Sequence, residues 1–174
     1  SVTDGNNSEC ENSDAGRSCA GQSCAAVHNR AKQYLIPEGK PAPFFVLLGV
    51  MTAEGKVIAS KYDKFRQINR FLEFVDDIVP SVIRAVGTSR PLRIIDFGSG
   101  KSYLTFALHY YLKEIKKIDA VITGLDLKED VVAYCNKTAA ALGADGLGFV
   151  VGDIASYADR HAADIVISLH ACDT

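Results

Sequence analysis

Arg93-Ile94-Ile95-Asp96-Phe97-Gly98-Ser99-Gly100-Lys101-Ser102 is the stretch on which the reading of this chain turns. A short β-branched run ends in an acid, two glycines stand one residue apart, and an apolar-rich segment runs from Tyr103 to Ile115. That pattern is a strand, a tight turn and a helix. The glycines permit the sharp turn and leave no side chain between the backbone and a ligand. The helix start then presents unpaired N–H groups to a carboxylate or phosphate. The expectation is a nucleotide-type site at the carboxyl end of a parallel strand.

Spacing separates the ligand classes that use such a turn. A phosphate-binding P-loop needs G-x-x-x-x-G-K-[ST]. Gly100-Lys101-Ser102 supplies its end, but Ile95 stands where the first glycine belongs. The dinucleotide pattern G-x-G-x-x-G has Tyr103 in place of its third glycine, where close helix–strand packing wants a small residue. S-adenosylmethionine (SAM) has no phosphate and needs only an acid, a short glycine turn and a ribose-binding acid on the next strand.

The downstream pattern supplies that second acid. Asp119–Leu125 reads as a buried strand ending at Asp126, where doubly wound folds hold ribose hydroxyls. Lys128 to Leu142 carries Val131, Val132, Cys135, Ala139 and Leu142 at helical spacing and closes on Gly143. Leu147–Val151 is a third strand, followed by Gly152-Asp153-Ile154, and Asp164–Leu169 is a fourth, followed by His170-Ala171-Cys172-Asp173. Strands alternating with helices predict an α/β fold with a parallel sheet. The acids past successive strands point to one ligand edge.

These residues carry a resemblance. Asp96 to Ala107, Gly124 to Asp130, Val151 to Ile154 and Leu169 to Thr174 together resemble a class I SAM-dependent methyltransferase. More narrowly, the chain is similar to the family that includes the methyltransferase-like 25 proteins and the glutathione-S-transferase C-terminal-domain-containing protein. Upstream, His28-Asn29-Arg30, Tyr34 to Gly39 and Lys61 to Glu73 resemble bacterial members of that group. The resemblance implies a Rossmann-like sheet in strand order 3-2-1-4 behind a small helical segment. It also implies SAM as methyl donor, with RNA as the usual guess for the acceptor. By the same resemblance Asp96, Gly98 and Gly100 would line the methionine end, with Phe97 and Ser99 also counted as cofactor-binding. Lys101 at the helix start either meets the methionine carboxylate or is a surface lysine, the two readings standing equal. Asp126 with Leu127 would take the ribose, and Asp153 with Ile154 would face the adenine. His170 and Asp173 lie where an acceptor would approach, His170 as a base if the acceptor must lose a proton. A strand-end histidine bonded to the backbone explains His170 equally well. Cys172 is disfavoured as a nucleophile.

Length and composition set the frame. The 174 residues are 48% hydrophobic, enough for one core, and the net charge of −2 gives no global attraction to nucleic acid. No apolar run approaches the ~18 residues of a membrane span, and a cytoplasmic location is the default. Met51 is the sole methionine. Ser1 is therefore not expected to be a natural start, and a fourth strand left as an apolar edge predicts the amino-terminal part of a longer enzyme, able to self-associate through that strand.

Three segments are expected: 1–27 as a flexible polar linker, 28–90 as a helical N-terminal segment, and 91–174 as the SAM-binding part. Within the first, Cys10, Cys19, Cys24 and His28 form C-x8-C-x4-C-x3-H, which has the ligand types for zinc. A linker with incidental thiols is the preferred reading, so no metal is expected. Lys64 to Val79 reads as a helix whose apolar face is Phe65, Ile68, Phe71, Leu72, Val75, Ile78 and Val79, with Pro80 marking its end. Lys61, Lys64, Arg66 and Arg70 form a basic patch that is either a solvated face, the favoured reading, or a phosphate contact. Two other function classes stay open: a non-catalytic RNA- or nucleotide-binding module on a methyltransferase-like scaffold, and a P-loop nucleotide hydrolase.

Overall fold

A computed structural model describes residues 34–152 and 163–168. β1 (Leu92–Phe97), β2 (Ala120–Asp126), β3 (Leu147–Val151) and β4 (Ile165–Ser168) form one sheet in the order β3-β2-β1-β4. Every pairing is parallel. The register sets Asp96 beside Gly124, Phe97 beside Leu125 and Ser168, and Asp126 beside Val151. The carboxyl ends of the strands therefore line up along one edge, where parallel sheets receive ligands.

Ahead of the sheet stand α1 (Pro43–Leu47) and α2 (Tyr62–Val86), and α3 (Tyr103–Tyr110) and α4 (Glu129–Leu142) cross between strands. A continuous core joins these helices to the sheet, with Phe45, Phe65, Ile68 and Leu72 against Ile94, Phe106, Leu108 and Ile122. Ile95, Phe97 and Leu125 form a smaller cluster with Ala163. Alternation along β1 accounts for this split, since Ile94 and Ile95 point to opposite faces.

α2 corrects the expected boundary at Pro80. The helix runs through that proline and ends at Gly87, whose φ of 80° is the left-handed region glycine favours. Beyond the proline, Val82, Ile83 and Val86 still pack against the core. Each apolar side chain removed from water contributes up to roughly 1.5–3 kcal/mol, which together offsets the ~3 kcal/mol cost of an interior proline. The apolar face also differs at one position. Ile78 is half-exposed, and with Phe71, Phe74 and Val75 it borders a groove against Val166 and Ile167 of β4. A polar residue takes an unexpected place inside: Asn69 is fully buried, its Oδ1 accepting the Ile36 N–H at 2.9 Å.

α3 does not simply stop. It passes into a π-helical turn, Tyr111–Ile115. The wider turn brings Lys116 to Asp76 on α2, an ion pair with the buried Tyr111 beside it. Burial, then the adjacent Asp76 carboxylate, push the Tyr111 phenol up to about 12. At the other side of the sheet, Asp164 just before β4 takes two hydrogen bonds from Arg90, each 2.7 Å, and one from the Arg93 N–H at 2.8 Å. The Arg90 guanidinium holds the Asp164 carboxyl down at about 2.

Among the described residues no helix is long and apolar enough to cross a membrane. Cys10, Cys19, Cys24 and His28 lie outside the described residues, as do Asp153, Ile154, His170, Cys172 and Asp173.

Candidate functional site

The turn after β1 is built by the residues that the sequence singled out. Gly98 and Gly100 have φ of 69° and 51°. The Gly98 and Ser99 N–H groups both donate to the Leu125 carbonyl, at 2.9 and 3.2 Å. The Gly100 N–H donates to Asp126 Oδ2 at 2.9 Å, and Lys128 N–H donates to Asp126 Oδ1 at 3.0 Å. One carboxylate at the end of β2 thus fastens the β1 turn to its own. A carboxylate has about four acceptor positions, so these two bonds leave room for two hydroxyl donors.

Asp96 closes β1 and is 5% exposed, its Oδ2 accepting the Thr105 hydroxyl at 2.6 Å. That bond ties the strand's end to the first turn of α3. Phe97 is buried in the smaller cluster and borders the cleft beside the turn. Lys101 is exposed at the tip of the turn, and Leu127 is 71% exposed just past β2. The structure therefore brings Asp96, the turn 97–101 and Asp126 to one place, with Leu127 at its margin.

Three supports were not legible as site residues. Ser102 is buried in the left-handed conformation at φ 55°, rare for a residue with a side chain. Its hydroxyl donates back to the Gly100 carbonyl at 3.2 Å and leaves α3 without a side-chain cap. Cys135, fully buried on α4, donates its thiol proton to Ser102 Oγ at 3.3 Å. Burial, reinforced by the Asp126 charge, pushes that thiol up, and it stays protonated. Thr105 completes the set through Asp96. A serine just before a helix commonly caps it, but Ser102 does not.

A cleft of about 410 Å³ opens beside the turn. It is lined by the segment from Asp96 to Leu104, by Lys61 just before α2 and by Lys64 in its first turn. The sequence patch has been divided by the fold. Arg66 pairs with Asp63 at 3.7 Å, and Arg70 pairs with Glu73 and stacks on the Phe74 ring at 4.5 Å. Neither arginine lines the cleft.

The arrangement is a Rossmann-like parallel sheet in the order β3-β2-β1-β4 with a glycine turn at the carboxyl end of β1. Residues 63–174 match the family described as "Methyltransferase domain", and the chain belongs to that family. Among solved structures it is similar to the bifunctional kinase-methyltransferase WbdD, at 26% identity over 49% of this chain and 17% of that one, TM-score 0.39. It is also similar to the CMeT domain of citrinin polyketide synthase, at 24% identity over 47% of this chain and 21% of that one, TM-score 0.40. A third is a candidate SAM-dependent methyltransferase from Methanococcus maripaludis, at 21% identity over 64% of this chain and 50% of that one, TM-score 0.40. The chain thus spans half or less of the length of each. No curated protein matches it.

Proposed function

We propose that this chain binds SAM at the β1 turn and transfers its methyl group to an acceptor. The observation that carries the reading is the use made of the turn's amides. In a phosphate cradle, backbone N–H groups point at the ligand. Here those of Gly98, Ser99 and Gly100 are committed to Leu125 and Asp126, an arrangement suited to a nucleoside without phosphates. An Ile95 that is 5% exposed within β1, at the position of the P-loop's first glycine, argues the same way.

The residues present fit the donor. The open positions of Asp126 would accept ribose hydroxyls, while Asp96, anchored by Thr105, borders the cleft that would take the amino-acid end. When bound, SAM supplies a methyl already activated by the sulfonium. What remains for the protein is alignment of the acceptor and exclusion of water. Asp153 and Ile154 at the adenine, and His170 and Asp173 at the acceptor, are proposed from the sequence. The narrower likeness to the methyltransferase-like 25 group and RNA as acceptor belong to the proposal too, resting on the motif resemblance. A cytoplasmic location is proposed by default.

Thermal shift separates this reading from the P-loop alternative. A ligand that binds only the folded chain at 100 times its dissociation constant adds about 2.7 kcal/mol. S-adenosylhomocysteine (SAH) is expected to raise Tm and magnesium–ATP to leave it unchanged. The reverse result would replace the methyltransferase reading with a nucleotide hydrolase.

A further inference from the structure

We infer that the acceptor is phosphate-bearing and that a phosphate of it docks on Lys61 and Lys64; the inference rests on the donor reading above. The two lysines line the same cleft as the glycine turn, together with Lys101. Lys64 Nζ donates to Gln67 Oε1 at 2.7 Å and lies 5.6 Å from the centre of the Tyr103 ring. Neither partner carries a formal charge. Among the described residues Lys61 and Lys101 have no acidic partner. Among the described residues the single acid of the cleft lining is Asp96, buried and bonded to Thr105.

This positive wall is not a by-product of a basic protein, because the chain's net charge is −2. The fold instead sorts its cations: Arg66 and Arg70 pair with acids along α2, while Lys61, Lys64 and Lys101, with no acidic partner among the described residues, line the cleft. A concave site lined by one sign of charge focuses its field and attracts the opposite sign. The donor alone does not account for it. SAM carries a sulfonium and an ammonium against one carboxylate, so it is a net cation, and its carboxylate can occupy one lysine. The surplus positive charge calls for an anion from the second substrate. Lysine serves phosphate as a point charge with rotatable donors, which suits a group whose orientation is set elsewhere.

The test uses inorganic pyrophosphate as probe on the full chain. Wild-type protein at ten times the probe's dissociation constant is expected to gain about 3–5 °C in Tm. The pair Lys61→Met and Lys64→Met is expected to abolish that gain. Arg66→Met with Arg70→Met, equal in lost charge but outside the cleft, is expected to keep it. Repeating the comparison with a single-stranded 12-mer RNA identifies the source: loss of RNA affinity in the lysine pair alone assigns the phosphate to nucleic acid, and retention assigns it to a small phosphorylated acceptor. Equal pyrophosphate response in both pairs, or none in wild type, overturns the inference. So does a lysine pair that loses SAH tenfold while keeping 5′-methylthioadenosine, since the lysines would then serve the donor carboxylate. A wild type that responds to pyrophosphate but binds no SAH would defeat the donor reading and leave the anion site standing.

Discussion

Gly124→Ala strikes the joint between the sheet and the site. Gly124 lies in β2 opposite Asp96 and two residues before Asp126. A Cβ built there would sit 2.4 Å and 2.5 Å from Cδ1 and Cε1 of Phe149, well inside contact distance. The ring has little room to retreat. Phe149 is 5% exposed and packs on Phe106 at 5.4 Å between centroids. Its backbone N–H and carbonyl are both bonded at 2.9 Å to the Asn136 side chain. Overpacking of this kind costs about 1–3 kcal/mol, or roughly 3–9 °C in Tm at ~3 °C per kcal/mol for a chain of this size. The strained strand carries Asp126, so SAH affinity is expected to fall as well. Thermal melts followed by circular dichroism read the first effect and calorimetry the second. Gly148→Ala in β3 is the control: nothing lies within 4 Å of its added Cβ, and its Tm should match wild type. Adding Phe149→Leu to Gly124→Ala should recover part of the loss. A Gly124→Ala protein that melts with wild type would refute the packing argument.

Other consequences follow from the bonds that flank the site. Asp164→Asn removes the negative charge and one of the two oxygens that accept from Arg90, and is expected to cost about 1 kcal/mol at neutral pH, after allowance for the part-exposed arginine. The folded-state Asp164 sits near 2, below its ordinary 3.8, so its contribution is present above about pH 4 and lost as pH falls toward 2. Urea titrations of wild type and variant should therefore converge across that window; a constant gap would contradict the assignment. Thr105→Val withdraws the hydroxyl donated to the buried Asp96 and is expected to cost about 1–3 kcal/mol, read as a lower urea midpoint. An unchanged midpoint would show that Asp96 is satisfied without it.

Much of this architecture was legible because local and global signals agree. The β-branched run Ile94-Ile95, the glycine pair and the acid at the tip of the next strand each demand the same strand–turn–helix unit, while the strand order comes from the family resemblance. What escaped depends on partners far along the chain. The buried role of Asn69 rests on the backbone of Ile36, distant in sequence, and no local signal points to it. Pro80 reads as a stop unless the packing of Val82, Ile83 and Val86 is known. Ser102 is not legible as a support, because the Cys135 thiol and the Gly100 carbonyl that engage its hydroxyl are set beside it by the fold. The division of the basic patch was half-visible: Asp63 with Arg66 and Arg70 with Glu73 stand at i,i+3 spacing, whereas the approach of Lys61 and Lys64 to the turn needed the fold.

Calorimetric titration of SAH into wild-type protein and into Asp126→Ala bears most directly on the claim that the β1 turn and Asp126 hold the donor's nucleoside. Wild type is expected to bind, and the variant to bind about 1–3 kcal/mol more weakly, roughly 5- to 150-fold, through loss of bonds to the ribose hydroxyls. No binding to wild type, or equal affinity in the two proteins, would contradict it.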